Sequence, residues 1–183
     1  DSDTYMFSGV EDLVPVLVPD GKKNLPREEF SRGDYSIRRY RPRIEGSFSR
    51  IERIWKAGEP AFYWKVTTRD NVVTFFGKSD THRIADPKDA SRVFKWLPEL
   101  SFDDKGNCLA FEFKAEDLTG VAKDPHETNR HSGIAPFLDA AEKHCNKHLK
   151  RVKYGNIQPF YPKYTTKADD WNSIYQTTLP DAT

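Results

Sequence analysis

The stretch from Tyr35 to Asn107 alternates large apolar and polar side chains and is broken by short polar turns. In SRIERIWK (49–56) and AFYWKVTT (61–68), successive side chains would point to opposite faces, which is the period of a β-strand. The β-branched and aromatic residues here fit a pleated surface better than a helix. This feature predicts a mainly β fold of antiparallel sheets and hairpins, with at most one or two short helices.

Turn-forming residues divide this alternating pattern into separate predicted strands. Arg69-Asp70-Asn71 predicts a tight turn, and DDKGN (103–107) predicts a hairpin whose Gly106 supplies a positive φ. Pro42 is expected to end the arm IRRYR (37–41), since proline cannot donate to a strand ladder.

The start of the chain predicts a first hairpin over residues 5–18. Pro15 restricts its second arm to an edge or bulged position. Residues 19–34 predict a loop because they are rich in glycine, proline and charge.

Two segments are ambiguous. In DPKDASRVFKWL (86–97), Asp86 is able to cap a helical turn with Pro87 at its first position, before a strand from Val93 to Ser101 that Pro98 interrupts. FLDAAEKHCNKHL (137–149) has apolar residues spaced by four, which predicts a short helix.

We expect a single unit over residues 1–183, with a mobile loop at 119–135 and an irregular tail at 157–183.

Composition excludes several classes of protein. Lys and Arg total 29 and Asp and Glu total 28, so the net charge of +1 gives no global attraction to nucleic acid or to an anionic membrane. The longest apolar run, LVPVLV (13–18), is too short to span a bilayer. Cys108 and Cys145 are too few for a disulfide scaffold. DSDTYMF (1–7) lacks the basic and apolar segments of a signal peptide, and because the first residue is not Met we expect a piece of a longer protein.

Four motifs resemble functional sites, and each has a simpler interpretation. His144 and His148, four residues apart around Cys145 and downstream of His126 and His131, lack the further ligands of a zinc site. DDKGN lacks the alternating acidic oxygens and final glutamate of a calcium loop. Arg32-Gly33-Asp34 is an adhesion tripeptide that arises easily by chance in such a loop.

The fourth motif is a group of arginines near Tyr35 and Tyr40, which resembles a nucleic-acid surface. Asp34, Glu45 and Glu52 lie close by in sequence, so cross-strand ion pairs are the favoured interpretation. The arginines are Arg32, Arg38, Arg39, Arg41, Arg43, Arg50 and Arg53.

No reactive constellation is recognisable. The chain has no nucleophile elbow, no phosphate-binding glycine loop and no HExxH pair. A glycosidase-type carboxylate pair is neither supported nor ruled out by sequence. We therefore predict no catalytic, cofactor-binding or metal-binding residues and no enzyme activity.

Six collinear runs together resemble the N-terminal region shared by SpvB-type bacterial toxins and the B components of insecticidal toxin (Tc) complexes. Val10 stands where that family has a small residue, His148 stands where it has an aromatic one, and the region after Pro159 is not aligned. The runs are FSGVEDLVPVL (7–17), RRYRPRIEGSFSRIERI (38–54), RDNVVTFFGKS (69–79), RIADPKDASRVFKWL (83–97), DDKGNCLAFEFKAED (103–117) and HLKRVKYGN (148–156).

The resemblance implies a strand from Leu149 to Tyr154 and a turn at Gly155-Asn156. It also implies part of a β-rich shell, followed in Tc B components by a β-propeller and RHS/YD repeats. With the C component this shell encloses a toxic polypeptide, which is delivered through the pore-forming A component. In SpvB-type proteins a similar region precedes an ADP-ribosyltransferase, whose Ser-Thr-Ser strand and Glu-x-Glu turn are absent here.

These observations predict a non-catalytic scaffold segment of a secreted bacterial toxin. Its partners would be other segments of its parent chain and, by resemblance, the Tc C and A components, without nucleic acid or membrane contact. The alternatives are a binding module for a host receptor or translocation partner, and the non-catalytic domain that precedes an ADP-ribosyltransferase.

Overall fold

The computed structural model describes residues 4–7, 11–19, 21, 25–59, 61–116 and 145–161. Within these residues the chain forms twelve strands and one short 3₁₀ helix, Asp80–His82, so the predicted mainly β fold is confirmed. None of its helical structure is long and apolar enough to cross a membrane. The strands are β1 (Tyr5–Phe7), β2 (Glu11–Pro15), β3 (Glu29–Arg32), β4 (Tyr35–Pro42), β5 (Arg50–Lys56), β6 (Phe62–Thr67), β7 (Val73–Phe76), β8 (Arg83–Asp86), β9 (Asp89–Trp96), β10 (Pro98–Phe102), β11 (Cys108–Ala115) and β12 (Lys147–Lys153).

Ten of these strands form one antiparallel sheet in the order β1-β2-β4-β5-β6-β7-β10-β11-β12, with β3 paired to β4 alongside β2. The remaining two, β8 and β9, form a separate hairpin. This hairpin is inserted between β7 and β10, which pair directly with each other. Most neighbours in the sheet are also neighbours in sequence, as the closely spaced turns predicted.

The pairing register assigns the side chains to two faces of the sheet. Ile37 lies opposite Ile54, and Ile54 lies opposite Tyr63, so these residues share one face, here called face A. Tyr40 lies opposite Ile51. These two residues, and the others that alternate along each strand with those of face A, share the opposite face, here called face B.

Each face of the sheet carries its own buried cluster. Part of each face is therefore buried, so large side chains of the central strands pack on both sides of the sheet. Face A holds Tyr35, Ile37, Ile54, Tyr63, Val73, Phe75, Leu100, Phe102 and Cys108, with Phe30 and Phe160 packed against them. Face B holds Leu13, Tyr40, Ile51, Trp64 and Val66, with Tyr5, Phe7, Phe62, Phe76 and Trp96 packed against them.

Several predicted elements are confirmed. The first hairpin is β1–β2. Pro15 is the last residue of β2 and lies beyond Leu13, where the pairing with β1 ends, so it occupies a locally open edge of the sheet. The hairpin at 103–107 joins β10 to β11, with Gly106 at φ 88. The turn at 69–71 has Asn71 at φ 61.

Three sequence predictions are wrong. The predicted loop at 19–34 contains β3, which pairs with β4 through a tight turn at Gly33-Asp34. Asp86 does not cap a helix, because its carboxylate accepts the backbone N–H of Lys88 at 2.9 Å and closes the turn of the β8–β9 hairpin.

The third error concerns the end of the helix predicted at 137–149. Lys147–Leu149 belong to β12, as the family resemblance implied for the residues that follow, and Cys145 and Asn146 are not helical. The edge of β11 offers this segment a ladder of hydrogen bonds, which outweighs a weak helical period. Residues 137–144, and the predicted loop at 119–135, lie outside the described residues.

Candidate functional site: a two-sided sheet with buried charges and a basic cleft

A row of charged side chains crosses face A. Arg39 lies opposite Glu52 and Glu52 lies opposite Lys65 on the three neighbouring strands β4, β5 and β6. Glu52 is only 5% exposed and Lys65 only 9% exposed. The Glu52 carboxylate is 3.5 Å from Lys65 Nζ, 3.8 Å from Arg39 Nε and 3.8 Å from Arg50 Nε. One buried carboxylate therefore lies within 4 Å of three cations.

Burial has a cost for this charged row. Desolvation lowers the pKa of Lys65, and Glu52 only partly opposes that shift. Arg39 also donates a hydrogen bond to Glu28 Oε1 at 2.8 Å, so it pairs with a second carboxylate. The row links three central strands, and removal of Glu52 would take away the carboxylate beside the buried Lys65.

The arginine group does not form a single basic surface. Arg39 and Arg50 point to face A, whereas Arg38 and Arg53 point to face B. Arg38 makes an ion pair with Glu29 at 2.7 Å. The Arg53 guanidinium lies 3.9 Å from the ring centroid of Phe62. These contacts support the interpretation as cross-strand partners and argue against a nucleic-acid surface.

Face B is dominated by an aromatic cluster. The ring centroids of Tyr5 and Trp64 are 5.1 Å apart, those of Trp64 and Trp96 are 6.1 Å apart, and those of Phe62 and Trp96 are 4.8 Å apart. Trp96 belongs to β9, and its Nε1 donates to the carbonyl oxygen of Phe62 at 3.0 Å. The inserted hairpin therefore contributes to this core.

Backbone hydrogen bonds close the base of the insertion, which is the segment 77–97 between β7 and β10 that contains the β8–β9 hairpin. Gly77 N–H donates to the carbonyl of Leu97 at 2.9 Å, and Leu97 N–H donates to the carbonyl of His82 at 2.8 Å. Arg83, which is 9% exposed, donates to the carbonyls of Gly77 at 2.5 Å and Lys78 at 3.0 Å, and to Asp80 Oδ1 at 2.8 Å. One guanidinium thus fixes the path of the chain as it leaves β7.

His82 is buried in this closure, and the sequence analysis did not single it out. Its Nε2 donates to the carbonyl of Phe111 at 2.7 Å, and its Nδ1 contacts Ser79 Oγ at 2.8 Å. Glu99 Oε2 lies 3.6 Å from Nδ1 and accepts the backbone N–H of Ser79 at 2.8 Å. Because both ring nitrogens have partners, we assign His82 a role in holding the insertion to β11.

A cleft of 290 Å³, here called the basic cleft, opens where the insertion leaves the end of the sheet. Burial lowers the pKa of Lys78 to about 8, and the nearby carboxylate of Glu99 opposes that shift. Sequence reasoning missed this cleft because its cations come from β5, from β8 and from the chain after β7. Its walls are Tyr35, Lys56, Glu59, Ala61, Tyr63, Lys78 and Arg83.

The motifs that resembled binding sites have structural roles where they are described. Arg32 ends β3, and Gly33, at φ 55, lies in the turn to β4. The Asp103 carboxylate accepts hydrogen bonds from the backbone and side chain of Asn107, which lower its pKa. It therefore closes the hairpin turn.

The histidine motif lies largely outside the described residues. His148 is exposed on β12, whereas His126, His131 and His144 are not described. Among the residues that the structure describes, no three His, Cys, Asp or Glu side chains are grouped to hold a metal ion.

Comparison with known proteins identifies the family. The model of the family described as SpvB, the Salmonella virulence plasmid 65kDa B protein, matches residues 1–179. The chain belongs to the SpvB family. This membership confirms the resemblance drawn from the six sequence runs.

Relatives of this SpvB-family chain are similar along most of its length. The mono(ADP-ribosyl)transferase SpvB of Salmonella typhimurium is 28% identical over 181 residues, which are 93% of this chain and 29% of that protein. The chain therefore spans less than a third of that relative.

Solved structures share the fold of this SpvB-family chain. The N-terminal domain of the effector protein SpvB from Salmonella typhimurium strain LT2 matches with a TM-score of 0.70 and 26% identity, over 87% of this chain and 48% of that one. A crystal structure of TcdB2-TccC3 without its hypervariable C-terminal region matches with a TM-score of 0.64 and 29% identity, over 85% of this chain and 7% of that one. The match to SpvB is to its N-terminal domain.

Proposed function

We propose that this chain is a non-catalytic structural segment of a secreted bacterial toxin, and that it contributes to the β-rich shell that encloses or presents a toxic effector. The observation that carries the proposal is the pair of buried clusters on opposite faces of one sheet. A sheet covered on both sides serves as an internal layer of a larger body.

The similarity to solved structures supports the same role. The chain matches about half of the SpvB N-terminal domain and a small share of the TcdB2-TccC3 chain, so the same sheet occurs within proteins of very different size. We propose residues 1–183 as one unit of that N-terminal region. Its partners are the remaining segments of its parent chain and, in a Tc-type assembly, the C and A components.

The charges of the sheet also suit a scaffold. The ion pairs of Glu52 join β4, β5 and β6, and those of Glu112 with Arg151 and Lys153 join β11 to β12. A parent of the SpvB type would carry its ADP-ribosyltransferase in another part of the protein.

Hydrogen exchange tests the scaffold role. The amides of β1 and β12, at the two ends of the sheet order, should exchange fast in the 183-residue chain and become protected when the remainder of the parent chain is present. The central strands β5 and β6 are the matched control and should be protected in both samples. Unchanged exchange at both edges would argue against the proposal, and NAD turnover by this chain alone would overturn its non-catalytic part.

A binding module is the second candidate, and the loop between β4 and β5 favours it. Ile44 is 70% exposed and Phe48 is 67% exposed. Phe48 has a φ of 50 and its N–H donates to Glu45 Oε1 at 2.8 Å, so a bulky side chain is held outward on a strained backbone. Substituting Phe48→Ser should then abolish binding to a host or translocation protein without loss of stability. If the variant binds as the parent does, this second function is excluded.

A further inference from the structure

The chain that follows β12 packs on the turn between β10 and β11. Residues 155–161, here called the strap, belong to no strand. Gly155 has a φ of 74, and further along the strap Phe160 N–H donates to the carbonyl oxygen of Gly106 at 2.9 Å. The ring centroids of Phe160 and Phe102 are 5.2 Å apart, edge to face, so Phe160 packs against the buried cluster on face A. The strap therefore covers the end of this cluster beside the turn.

Asn156 fixes the strap to the turn by taking the place of a strand residue. The pairing of β11 with β12 ends at Ala110 and Lys153. Two residues nearer the turn, Cys108 N–H donates to Asn156 Oδ1 at 3.0 Å. Asn156 Nδ2 donates to the carbonyl oxygen of Gly106 at 2.9 Å. The side-chain amide thus supplies one acceptor and one donor, as a peptide group of a neighbouring strand would.

The turn accommodates the strap because residue 106 has no side chain. A β-carbon on Gly106 would lie 2.6 Å from Cβ of Pro159 and 3.1 Å from Cζ of Tyr161. The hydroxyl of Tyr161 donates to the carbonyl oxygen of Lys105 at 3.3 Å. The contacts of the strap described here are thus concentrated on the turn and on the adjoining end of face A.

The strap buries little apolar surface. Among residues 155–161 only Asn156 and Phe160 are half-buried, and the others are exposed, Ile157 by as much as 84%. A segment with few buried apolar contacts and with hydrogen bonds close to solvent opens at a lower free energy than the fold as a whole. The central strands, in which Ile54 is fully buried, lie at the opposite extreme.

We propose that the strap is a cover that opens as one unit from face A while the sheet stays folded, and that Asn156 is the residue that holds it closed. Opening separates Phe160 from Phe102 and releases Cys108 N–H and the carbonyl oxygen of Gly106. It therefore uncovers an apolar end of face A together with one backbone donor and one backbone acceptor. This inference goes beyond the scaffold role and does not depend on it.

Amide hydrogen exchange of the 183-residue chain, followed by NMR, tests the opening. Cys108 N–H and Phe160 N–H both bond across the contact between strap and turn, so one opening exposes both. We expect their protection factors to agree within about threefold and to lie roughly a hundredfold or more below that of Ile54 N–H in β5. Unequal protection of the two amides, or protection as high as that of Ile54, would overturn the proposal.

Asn156→Ala tests the residue that holds the strap closed. The variant loses both hydrogen bonds to the turn, so the protection of Phe160 N–H should fall about tenfold while that of Ile54 N–H stays unchanged. Gln158→Ala is the matched control, because Gln158 is an exposed amide residue of the same strap, and it should behave as the parent chain does. Equal effects of the two variants would contradict the role of Asn156. If Asn156→Ala fails to fold, the exchange of the parent chain decides the proposal.

The thiol of Cys108 reports whether the opening uncovers face A. It is buried in the cluster against which Phe160 packs. In the folded chain, N-ethylmaleimide should label Cys108 in Asn156→Ala and leave it unlabelled over the same time in the parent and in Gln158→Ala, as measured by mass spectrometry. A thiol that stays unlabelled in Asn156→Ala, or one that is labelled equally in all three proteins, would show that the strap does not cover it.

Discussion

Gly77 and Trp96 lie so close together that a β-carbon at residue 77 would fall 2.4 Å from Cδ1 of Trp96. This contact joins the residue after β7 to the last residue of β9, at the base of the insertion. Trp96 in turn packs on Trp64 and donates to the carbonyl of Phe62. The hairpin is thus fastened to face B by an indole that fits only because residue 77 has no side chain.

Gly77→Ala should therefore be strongly destabilising. Its φ of +64 is costly for alanine by about 1–2 kcal/mol, and the clash with Trp96 adds about 1–3 kcal/mol. Gly58→Ala is the matched control, because Gly58 has a similar φ of +84 and no atom within 4 Å of the added carbon. Urea unfolding should give a larger loss for Gly77→Ala, and equal losses would show that the contact with Trp96 is relaxed at no cost.

Removal of the buried carboxylate should also be costly. Glu52→Gln removes the buried carboxylate that lies 3.5 Å from Lys65 Nζ and 3.8 Å from Nε of both Arg39 and Arg50, and we expect a loss of about 3 kcal/mol in the free energy of unfolding. Glu59→Gln breaks an exposed ion pair and should change it by no more than about 0.5 kcal/mol. Chemical denaturation of both variants decides the matter, and similar small effects would mean that the row is solvated.

The two arginines of β4 that point to face A should differ. Arg39 pairs with Glu28 and Glu52 and lies 5.3 Å from the ring centroid of Phe30, whereas Arg41 is exposed. Arg39→Gln should cost about 1 kcal/mol, and Arg41→Gln should be neutral within about 0.5 kcal/mol. Thermal unfolding of the pair of variants measures this, and a larger loss for Arg41→Gln would contradict the assignment of partners.

Lys78 should make stability depend on pH in the alkaline range. Its pKa of about 8 in the folded chain is below the ordinary 10.5, so between these values the unfolded chain binds more protons and stability rises with pH. The charged group is disfavoured by up to about 3 kcal/mol at neutral pH, and that penalty disappears towards pH 10.5. Lys78→Met should thus be more stable than the parent at pH 7 and equal to it near pH 10.5. A stability difference that is constant with pH would refute the shift.

The two thiols should react differently with an alkylating reagent. Cys108 is buried against face A and burial raises the pKa of its thiol, whereas Cys145 is exposed. Since the thiolate is the reactive form, the folded chain should be labelled at Cys145, and at Cys108 only after denaturation. Mass spectrometry of the labelled peptides gives the answer, and rapid labelling of Cys108 in the folded chain would indicate local opening of β11.

Local sequence signals predicted those elements whose turn and strand residues are adjacent. The β10–β11 hairpin follows from DDKGN and its glycine, and the β5–β6–β7 meander follows from alternation and a tight turn. The errors at 19–34 and at 137–149 have a common cause. Residues 29–32 and 147–149 form strands because each pairs with a neighbouring strand, β3 with β4 and β12 with β11, and the open edge of a neighbour has no local signature.

The amino-acid sequence by itself determined a mainly β chain of the SpvB family, because strand period, turn chemistry and family motifs are local and collinear. Tertiary structure alone decided that the aromatics form two clusters on opposite faces, that Glu52 lies beside three cations, and that Lys56, Lys78 and Arg83 meet in one cleft. Those relationships depend on strand register and on the return of an insertion to the sheet. A shift of one residue in register would move every side chain of a strand to the other face of the sheet. Alternation along one strand therefore does not fix which face is which, and contacts between distant segments decide it.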